Sequence, residues 1–527
     1  MNVPFAWVLA AIPLLPFAAG VAAARGSAAR AGRLSLLATT GSAVLALASG
    51  MGLLVTGPGS APIPLPGDAF VGGVSLRLDT ITAVMGLLVA SLGMVITRFS
   101  RNYLSGDPRQ ARFFVWTNLT LAAVLTMAVA GDLMLILAAW VATSLCLHRL
   151  LMFHPHRTGA VFSARKKFVV SRLGDLCLLA AVIRLHRHYG TGELEPIFQA
   201  VAAGDVAPLP GVGFLLVVCA CLKSAQFPFH SWLPDTLETP TPVSAFMHAG
   251  IINAGGFLVV RLSPLLVHAP GALELLVVVG TLTAAFGAVV MLAQPGVKRA
   301  LAYSTIAQMG FMMLQCGLGA FGLALLHIVA HSLYKAHAFL NAGGTVGVQS
   351  QAAIRLQGST LALGALASAL CVALASTVLA AFKTGTGAGM EVFLLILTLA
   401  LAYGLSGLWS AAGFRQSAVH GLAAATGIAL LSVALHAASS ALVAVPPGPR
   451  PPRALVSGVS AVFAGLFLFQ ALLWRSRQYP WGQALYVHAL NGFYLGTWAN
   501  RALGRLWPRH EFLLPAGARQ VPQHPQH

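Results

Sequence analysis

Three protonatable side chains stand at four-residue intervals in this chain: His327, His331 and Lys335. On an α-helix that spacing stacks them on one face, about 6 Å apart along the axis. Groups so placed can pass protons through intervening water, and histidine, whose ordinary pKa lies nearest neutrality, suits a relay. His327 and His331 are also spaced for zinc, but no carboxylate or cysteine adjoins them to complete a tetrahedral set. Lys223 closes an apolar run in Leu222-Lys223-Ser224-Ala225-Gln226 and is followed by Phe227-Pro228. His248 closes Pro240-Thr241-Pro242-Val243-Ser244-Ala245-Phe246-Met247-His248. Arg172 and Asp175, at i and i+3, can pair with each other, or Asp175 can serve a lysine on a neighbouring helix. Lys383, in Phe382-Lys383-Thr384, repeats the apolar–lysine–hydroxyl pattern of residues 222–224. It marks either a second copy of a repeat or a helix cap.

The elements that hold these groups are membrane helices. Of 527 residues, 57% are hydrophobic and 9% charged, and the mean hydropathy is +0.80. A soluble domain needs more charge to cover its surface. Apolar runs near the ~20 residues that cross a bilayer recur throughout, and lipid forces spanning backbone into helices or closed barrels. Long unbroken runs exclude the short alternating strands of a barrel. The expected fold is all-α and polytopic, with about fifteen crossings, inverted repeats and broken helices. The crossings fall near 3–24, 34–55, 80–97, 113–130, 133–153, 168–185, 212–227, 241–262, 272–293, 300–318, 319–341, 360–382, 391–411, 417–444 and 454–474. The first has no basic residues before it and is read as a retained helix rather than a cleaved signal. Five regions follow: N-terminal helices (1–112), a first repeat (113–262), a second (263–415), C-terminal helices (416–475) and a tail (476–527).

Ionisable groups inside such spans are costly and mark ion or proton paths. Pro228 and Pro240-Thr241-Pro242 suggest a helix broken beside Lys223, which is how transporters expose backbone groups around a buried cation. The candidate path is Asp175, Lys223, His248, His327, His331, Lys335 and Lys383. The six cysteines all lie in apolar runs and read as packing residues. Haem, iron–sulfur, Rossmann and phosphate-loop motifs are missing, so no cofactor, no resident metal and no catalytic residue is expected. The net charge of +19 sits in short loops between spans, which argues against nucleic acid. With the N-terminus outside and the C-terminus inside, most basic residues fall on the cytoplasmic side, as the positive-inside rule requires.

Several of these stretches resemble the antiporter-like, proton-conducting subunits of respiratory complex I and Mrp-type antiporters. They are Lys167-Phe168-Val169-Val170-Ser171-Arg172-Leu173-Gly174-Asp175, Lys223 to Gln226, Pro240 to His248, Lys298-Arg299-Ala300-Leu301-Ala302-Tyr303-Ser304-Thr305 with Gln308, and the His327/His331/Lys335 face. In that family a glutamate follows the tryptophan of the fifth crossing and pairs with the lysine of the seventh. Here Val141 follows Trp140, which suggests Asp175 as the replacement partner of Lys223. A chain ending where this sequence ends would also lack the long lateral helix of the large complex I subunit. Phe227 to Thr239, Gly250 to Gly256 and Leu485 to Tyr494 look most like the DabB family, the bacterial inner-membrane subunits of inorganic-carbon accumulation complexes. That resemblance implies cation flow (H+ or Na+) energising CO2 hydration to bicarbonate. It also implies a cytoplasmic partner, DabA, resembling a zinc carbonic anhydrase, which would carry the enzymatic chemistry. The alternatives are a proton-pumping subunit L of NADH-quinone oxidoreductase, an Mrp-like Na+/H+ antiporter subunit, and a membrane scaffold without transport.

Residues from about Gln483 to Trp507 are expected to form one cytoplasmic amphipathic helix. Its apolar side would carry Tyr486, Leu490, Phe493 and Trp507, with Arg501 and Arg505 nearby. Aromatics beside arginines are common at protein interfaces, so the segment is read as docking the partner. The other reading is a helix lying against membrane lipids.

Overall fold

The computed structural model describes residues 3–63, 74–345, 358–380, 388–443, 451–476 and 478–506. Helices Val3–Ala23 (α1) and Ala28–Thr56 (α2) lead to a small antiparallel hairpin, Gly59–Ile63 (β1) and Val74–Leu78 (β2). Next come Thr80–Tyr103 (α3), Gln110–Val129 (α4), Leu133–Leu151 (α5) and Thr158–Tyr189 (α6). A short helix, Leu194–Ala202 (α7), precedes Leu209–Lys223 (α8). The eighth crossing is split into Thr241–Ala249 (α9) and Ala254–Arg261 (α10), and Ser263–Leu266 (α11) follows it. Then come Pro270–Ala293 (α12), Val297–Gly317 (α13), Phe321–Leu340 (α14), Gly358–Ala380 (α15), Ala388–Ala412 (α16), Phe414–Leu442 (α17) and Arg453–Ser476 (α18). Pro480–Leu490 (α19) and Leu495–Leu506 (α20) complete the described chain.

The fifteen expected crossings correspond to α1–α6, α8, the α9–α10 pair and α12–α18. Twelve of these are long and apolar enough to span a membrane on composition alone. The other three have reasons in their residues. Arg165, Lys166, Lys167, Arg172 and Asp175 dilute α6, Lys298 and Arg299 open α13, and α8 stops at Lys223. The molecule is an all-α multi-pass membrane protein. Lys383 and Trp507 lie outside the described residues.

Buried polar side chains pin the helix ends that matter below. Asp79 caps α3 by accepting from Thr82 N at 2.9 Å, and Asp132 caps α5 through Met134 N at 2.7 Å and Leu135 N at 3.1 Å. Each cap satisfies amides that have no partner within the helix. Helices α12 and α13 meet backbone to backbone. A Cβ on Gly310 would stand 2.4 Å from Ala284 N, so that contact exists only because residue 310 is glycine. Small residues at helix contacts are the usual means of close packing in lipid.

Two expectations need correcting. The segment around residues 483–507 is not one helix. Gly492, Phe493 and Tyr494 all have positive φ, and this turn separates α19 from α20. The break near Lys223 also extends further than the prolines suggest. After α8 the chain runs through two 3₁₀ turns, Phe229–Trp232 and Pro234–Glu238, and the next crossing is broken again at Gly250 by the 3₁₀ turn Ile251–Asn253.

Candidate functional site

Interrupting a helix leaves its flanking amides and carbonyls without intrahelical partners, so buried side chains must satisfy them. The two interruptions face each other. Ser224, just past α8, donates to Ile252 O at 2.7 Å, which ties the end of α8 to the 3₁₀ turn in the eighth crossing. The approach is close enough that a Cβ on Gly255 would stand 2.4 Å from Ala220 O and from Ser224 Oγ. From that turn Asn253 Nδ2 donates to Ala249 O at 2.9 Å and to Ser332 Oγ on α14 at 2.8 Å.

Helix α14 returns the connection to α9. His331 Nε2 donates to the carbonyl of His248 at 3.3 Å. His248 lies stacked on Phe339, ring centroids 4.3 Å apart, and is fully buried. Its Nδ1 is 3.0 Å from Thr305 Oγ1 on α13. The Thr305 hydroxyl donates to Leu301 O at 3.0 Å, so the histidine Nδ1–H is the donor in that contact. This fixes a tautomer whose Nε2 lone pair is free, and that atom is buried without a partner. Leu301 O also accepts from Lys335 Nζ, again at 3.0 Å. One carbonyl therefore joins the threonine and the lysine. His327 donates to Gln315 Oε1 at 2.9 Å, with its ring 6.0 Å from that of His331.

Helical spacing puts His327, His331 and Lys335 on one face, and the structure brings that face against His248. Lys223 joins through Ser224, Ile252, Asn253 and Ser332. Its ammonium donates to Trp140 O at 3.3 Å and lies over the Trp140 ring at 4.3 Å. A carbonyl and an aromatic face thus hold the ammonium directly. Arg172 pairs with Asp175 at 2.7 Å on the same helix. The Asp175 charge also acts on Lys223, so Arg172 and Lys223 share the one carboxylate.

Sequence reasoning passed over the side chains that link the ionisable groups: Ser224, Asn253, Thr305, Gln315 and Ser332. As types they are ordinary, and only their burial and partners set them apart. It also passed over a buried lysine, Lys167, whose Nζ donates to both Ser144 O and Ser144 Oγ at 2.9 Å.

A separate ion cluster lies where α3, α10 and the β-hairpin meet. Arg261 donates through Nη1 to Asp79 Oδ2 at 2.5 Å, and through Nη2 to Thr82 Oγ1 at 2.8 Å and Ala128 O at 3.1 Å. Arg77 reaches the same Asp79 oxygen at 2.8 Å and Glu195 at 2.6 Å. Burial would raise the Asp79 carboxyl, but Arg261, Arg77 and the Thr82 amide together hold it well below the usual carboxylate range.

The C-terminal segment packs back onto the helix bundle. Leu490 O accepts from Gln294 Nε2 at 3.2 Å, and Gly492 lies against the Tyr303 hydroxyl. The Phe493 ring lies 6.0 Å from that of Phe286, tilted by 51°, and the Phe286 ring lies 4.5 Å from that of His230 in the first 3₁₀ turn. Tyr486 and Phe493 still expose over a third of their surface, and Leu490 is half-buried. Among the described residues no histidine, cysteine or carboxylate group is arranged to hold a metal.

Residues 130–382 match the family described as NADH:quinone oxidoreductase/Mrp antiporter, and residues 66–114 match complex I chain 5 N-terminus. The chain is 38% identical over 469 residues to the probable inorganic carbon transporter subunit DabB2 of Halothiobacillus neapolitanus, covering 86% of this chain and 84% of that one. It is 42% identical over 279 residues to the DabB subunit of Hydrogenovibrio crunogenus, covering 52% of this chain and 54% of that protein. It is 37% identical to NADH-quinone oxidoreductase subunit L of Mycobacterium tuberculosis over 54% of this chain and 45% of that one. In structure it is similar to the Mrp complex from Dietzia, with a TM-score of 0.64 at 25% identity, covering 96% of this chain and 60% of that one. It therefore belongs to the antiporter-like membrane proteins shared by NADH:quinone oxidoreductase and Mrp, and among them to the DabB inorganic carbon transporter subunits.

Proposed function

We propose that this chain conducts protons or sodium ions across the bacterial inner membrane and uses that flow to drive bicarbonate accumulation by a cytoplasmic partner. The observation that carries the reading is the continuous buried row from Lys223 through Ser224, Asn253, Ser332, His331, His248 and Thr305 to Lys335. A scaffold has no reason to bury two lysines and three histidines in lipid-spanning helices, where each ionisable group is costly. A row of groups that bind and release protons, joined by hydroxyls and carbonyls, is what ion passage requires. Asp175 lies beside the row, held by Arg172, and Lys383 would extend it in the second repeat.

Among the described residues no side chains are grouped to hold a zinc ion for CO2 hydration. In this reading the hydration occurs in a DabA-like, zinc carbonic-anhydrase-like subunit held at the cytoplasmic face. The exposed aromatic residues of α19 and the following turn, Tyr486 and Phe493, are the docking surface with Leu490, and Trp507, outside the described residues, belongs to the same proposed set. The N-terminus is then outside and the C-terminus inside.

The test is Lys335→Met, which removes the protonatable group without leaving an unpaired buried charge. Ion uptake into proteoliposomes should be lost, while yield and melting stay near wild type. Full uptake in that variant would remove the path role. Truncation before Gln483 tests docking: the partner should leave the membrane fraction, and copurification at normal yield would refute the surface.

A further inference from the structure

Helix α5 presents two successive turns of backbone to buried ammonium groups. Trp140 O accepts from Lys223 at 3.3 Å. Ser144 O, four residues on and therefore about 6 Å along the axis, accepts from Lys167 at 2.9 Å, and Ser144 Oγ takes a second bond from the same nitrogen. Lys167 is 2% exposed and Lys223 6%. The pocket holds three basic side chains, Lys167, Arg172 and Lys223, against one carboxylate, Asp175, whose single charge Arg172 and Lys223 share.

Two ammonium groups on adjacent turns of one helix repel each other in a medium that screens poorly. Arginine keeps its proton under all ordinary conditions, so the excess charge can be relieved only at the lysines. Nor does a simple structural role explain Lys167. A polar uncharged side chain would satisfy Ser144 at less cost than a buried ammonium.

The row continues away from Lys223. His148 stands one turn beyond Ser144 on α5, its ring 5.3 Å from that of Phe168 and its Nδ1 buried without a partner. Next to Lys167 in sequence, Lys166 meets Asp235 at 2.5 Å, and a third of the Asp235 side chain is exposed. One face of α5 thus leads from His148 past Lys167 to Lys223, and the partly exposed Lys166–Asp235 pair lies one residue before Lys167 on α6.

We infer that Lys167 is a proton-carrying member of the path that exchanges its proton with Lys223. The inference rests on the ion-path reading given above and adds the residue that loads its first lysine. In the step itself, the Lys167 ammonium gives up one proton and becomes a neutral amine, while the neutral Lys223 amine gains that proton. One positive charge is carried by the pair before and after. Lys167 is then recharged from water at the Lys166–Asp235 end. Mutual repulsion keeps the second proton off, so the pair moves protons singly.

The test uses the full-length protein in proteoliposomes, with proton uptake driven by a potassium–valinomycin potential and read from a trapped pH dye. Lys167→Arg keeps the charge and can donate to Ser144, but it does not release a proton. Lys167→Met removes both charge and donor. Both should lower uptake at least tenfold while melting like wild type. A merely structural or electrostatic role would leave Lys167→Arg active. Wild-type uptake in either variant overturns the inference, and if Lys167→Met fails to accumulate, Lys167→Arg decides it alone. Lys223→Met separates the two levels of the argument. If wild type takes up neither protons nor sodium ions, or Lys223→Met conducts like wild type, the ion-path reading fails; a wild type that carries sodium but not protons overturns the role of Lys167 alone. If Lys223→Met is inert but the Lys167 variants conduct, only the role of Lys167 fails.

Discussion

Replacing Arg261 by Met should destabilise the protein by about 3 kcal/mol, the lower end of what removing one partner of a buried ion pair costs. Arg261 is 1% exposed and makes three bonds, to Asp79, Thr82 and Ala128. Met fills much of the volume, so the loss is electrostatic rather than a cavity. Asp79 is not abandoned, because Arg77 at 2.8 Å and Thr82 N at 2.9 Å remain, and this is why the upper end of the range does not apply. The Ala128 carbonyl loses a charged donor, a bond worth about 1.5–3 kcal/mol. The same network sets a dependence on pH. The folded Asp79 carboxyl is held below its ordinary value near 4. Its contribution is therefore complete above pH ~4 and is lost as pH falls through the folded value. Equilibrium unfolding of the purified protein in mixed micelles measures both. An Arg261→Met variant within about 0.5 kcal/mol of wild type would refute the argument, since that is the ordinary scatter of surface substitutions. A double variant with Asp79→Asn should cost less than the sum of the two singles, because the residues share one interaction.

Three shorter predictions follow from the site. Gly255→Ala should destabilise by about 1–3 kcal/mol, as overpacking does, because its Cβ would meet Ala220 O and Ser224 Oγ at 2.4 Å; unchanged melting would show that α8 and α10 can separate freely. Asn253→Leu removes the bond to Ser332 and should slow ion uptake about tenfold, the rate equivalent of one hydrogen bond; uptake at wild-type rate would show that the row passes elsewhere. His230 is pushed down to about 4 by burial and then by the nearby Lys166 charge. The unfolded chain binds that proton first, so stability should fall between pH ~6.5 and about 4, and His230→Gln should flatten that stretch of the curve.

The crossings were readable because lipid imposes both length and apolarity on each of them, even where α6 and α13 carry charges. The His327–His331–Lys335 face was readable because helical period alone puts those side chains together. The partners across helices were not. Asn253 and Ser332 are 79 residues apart, and Arg261 and Asp79 182 apart, so no local spacing reports them. Spacing on one helix offers Asp175 a partner in Arg172, three residues before it, and Lys223 shares that charge from α8. Reading Val141 as a missing acid directed attention to a carboxylate alone. The neighbourhood also contains a further lysine, visible as the second of the adjacent pair Lys166-Lys167. The division of the tail at Gly492 was hidden because a 3–4 spacing of apolar residues continues across it.

The order in which the row is assembled has a consequence for biogenesis. Each link joins segments far apart in the chain: Ser224 to Ile252, Asn253 to Ser332, His331 to His248, and His248 to Thr305. Two of these four links require α14. A nascent chain that has inserted only as far as α13 therefore holds Lys167, Lys223 and His248 but no connection from them to Lys335. On the proposed path the half-made protein is closed, and the membrane potential is not dissipated through it while the ribosome is still at work.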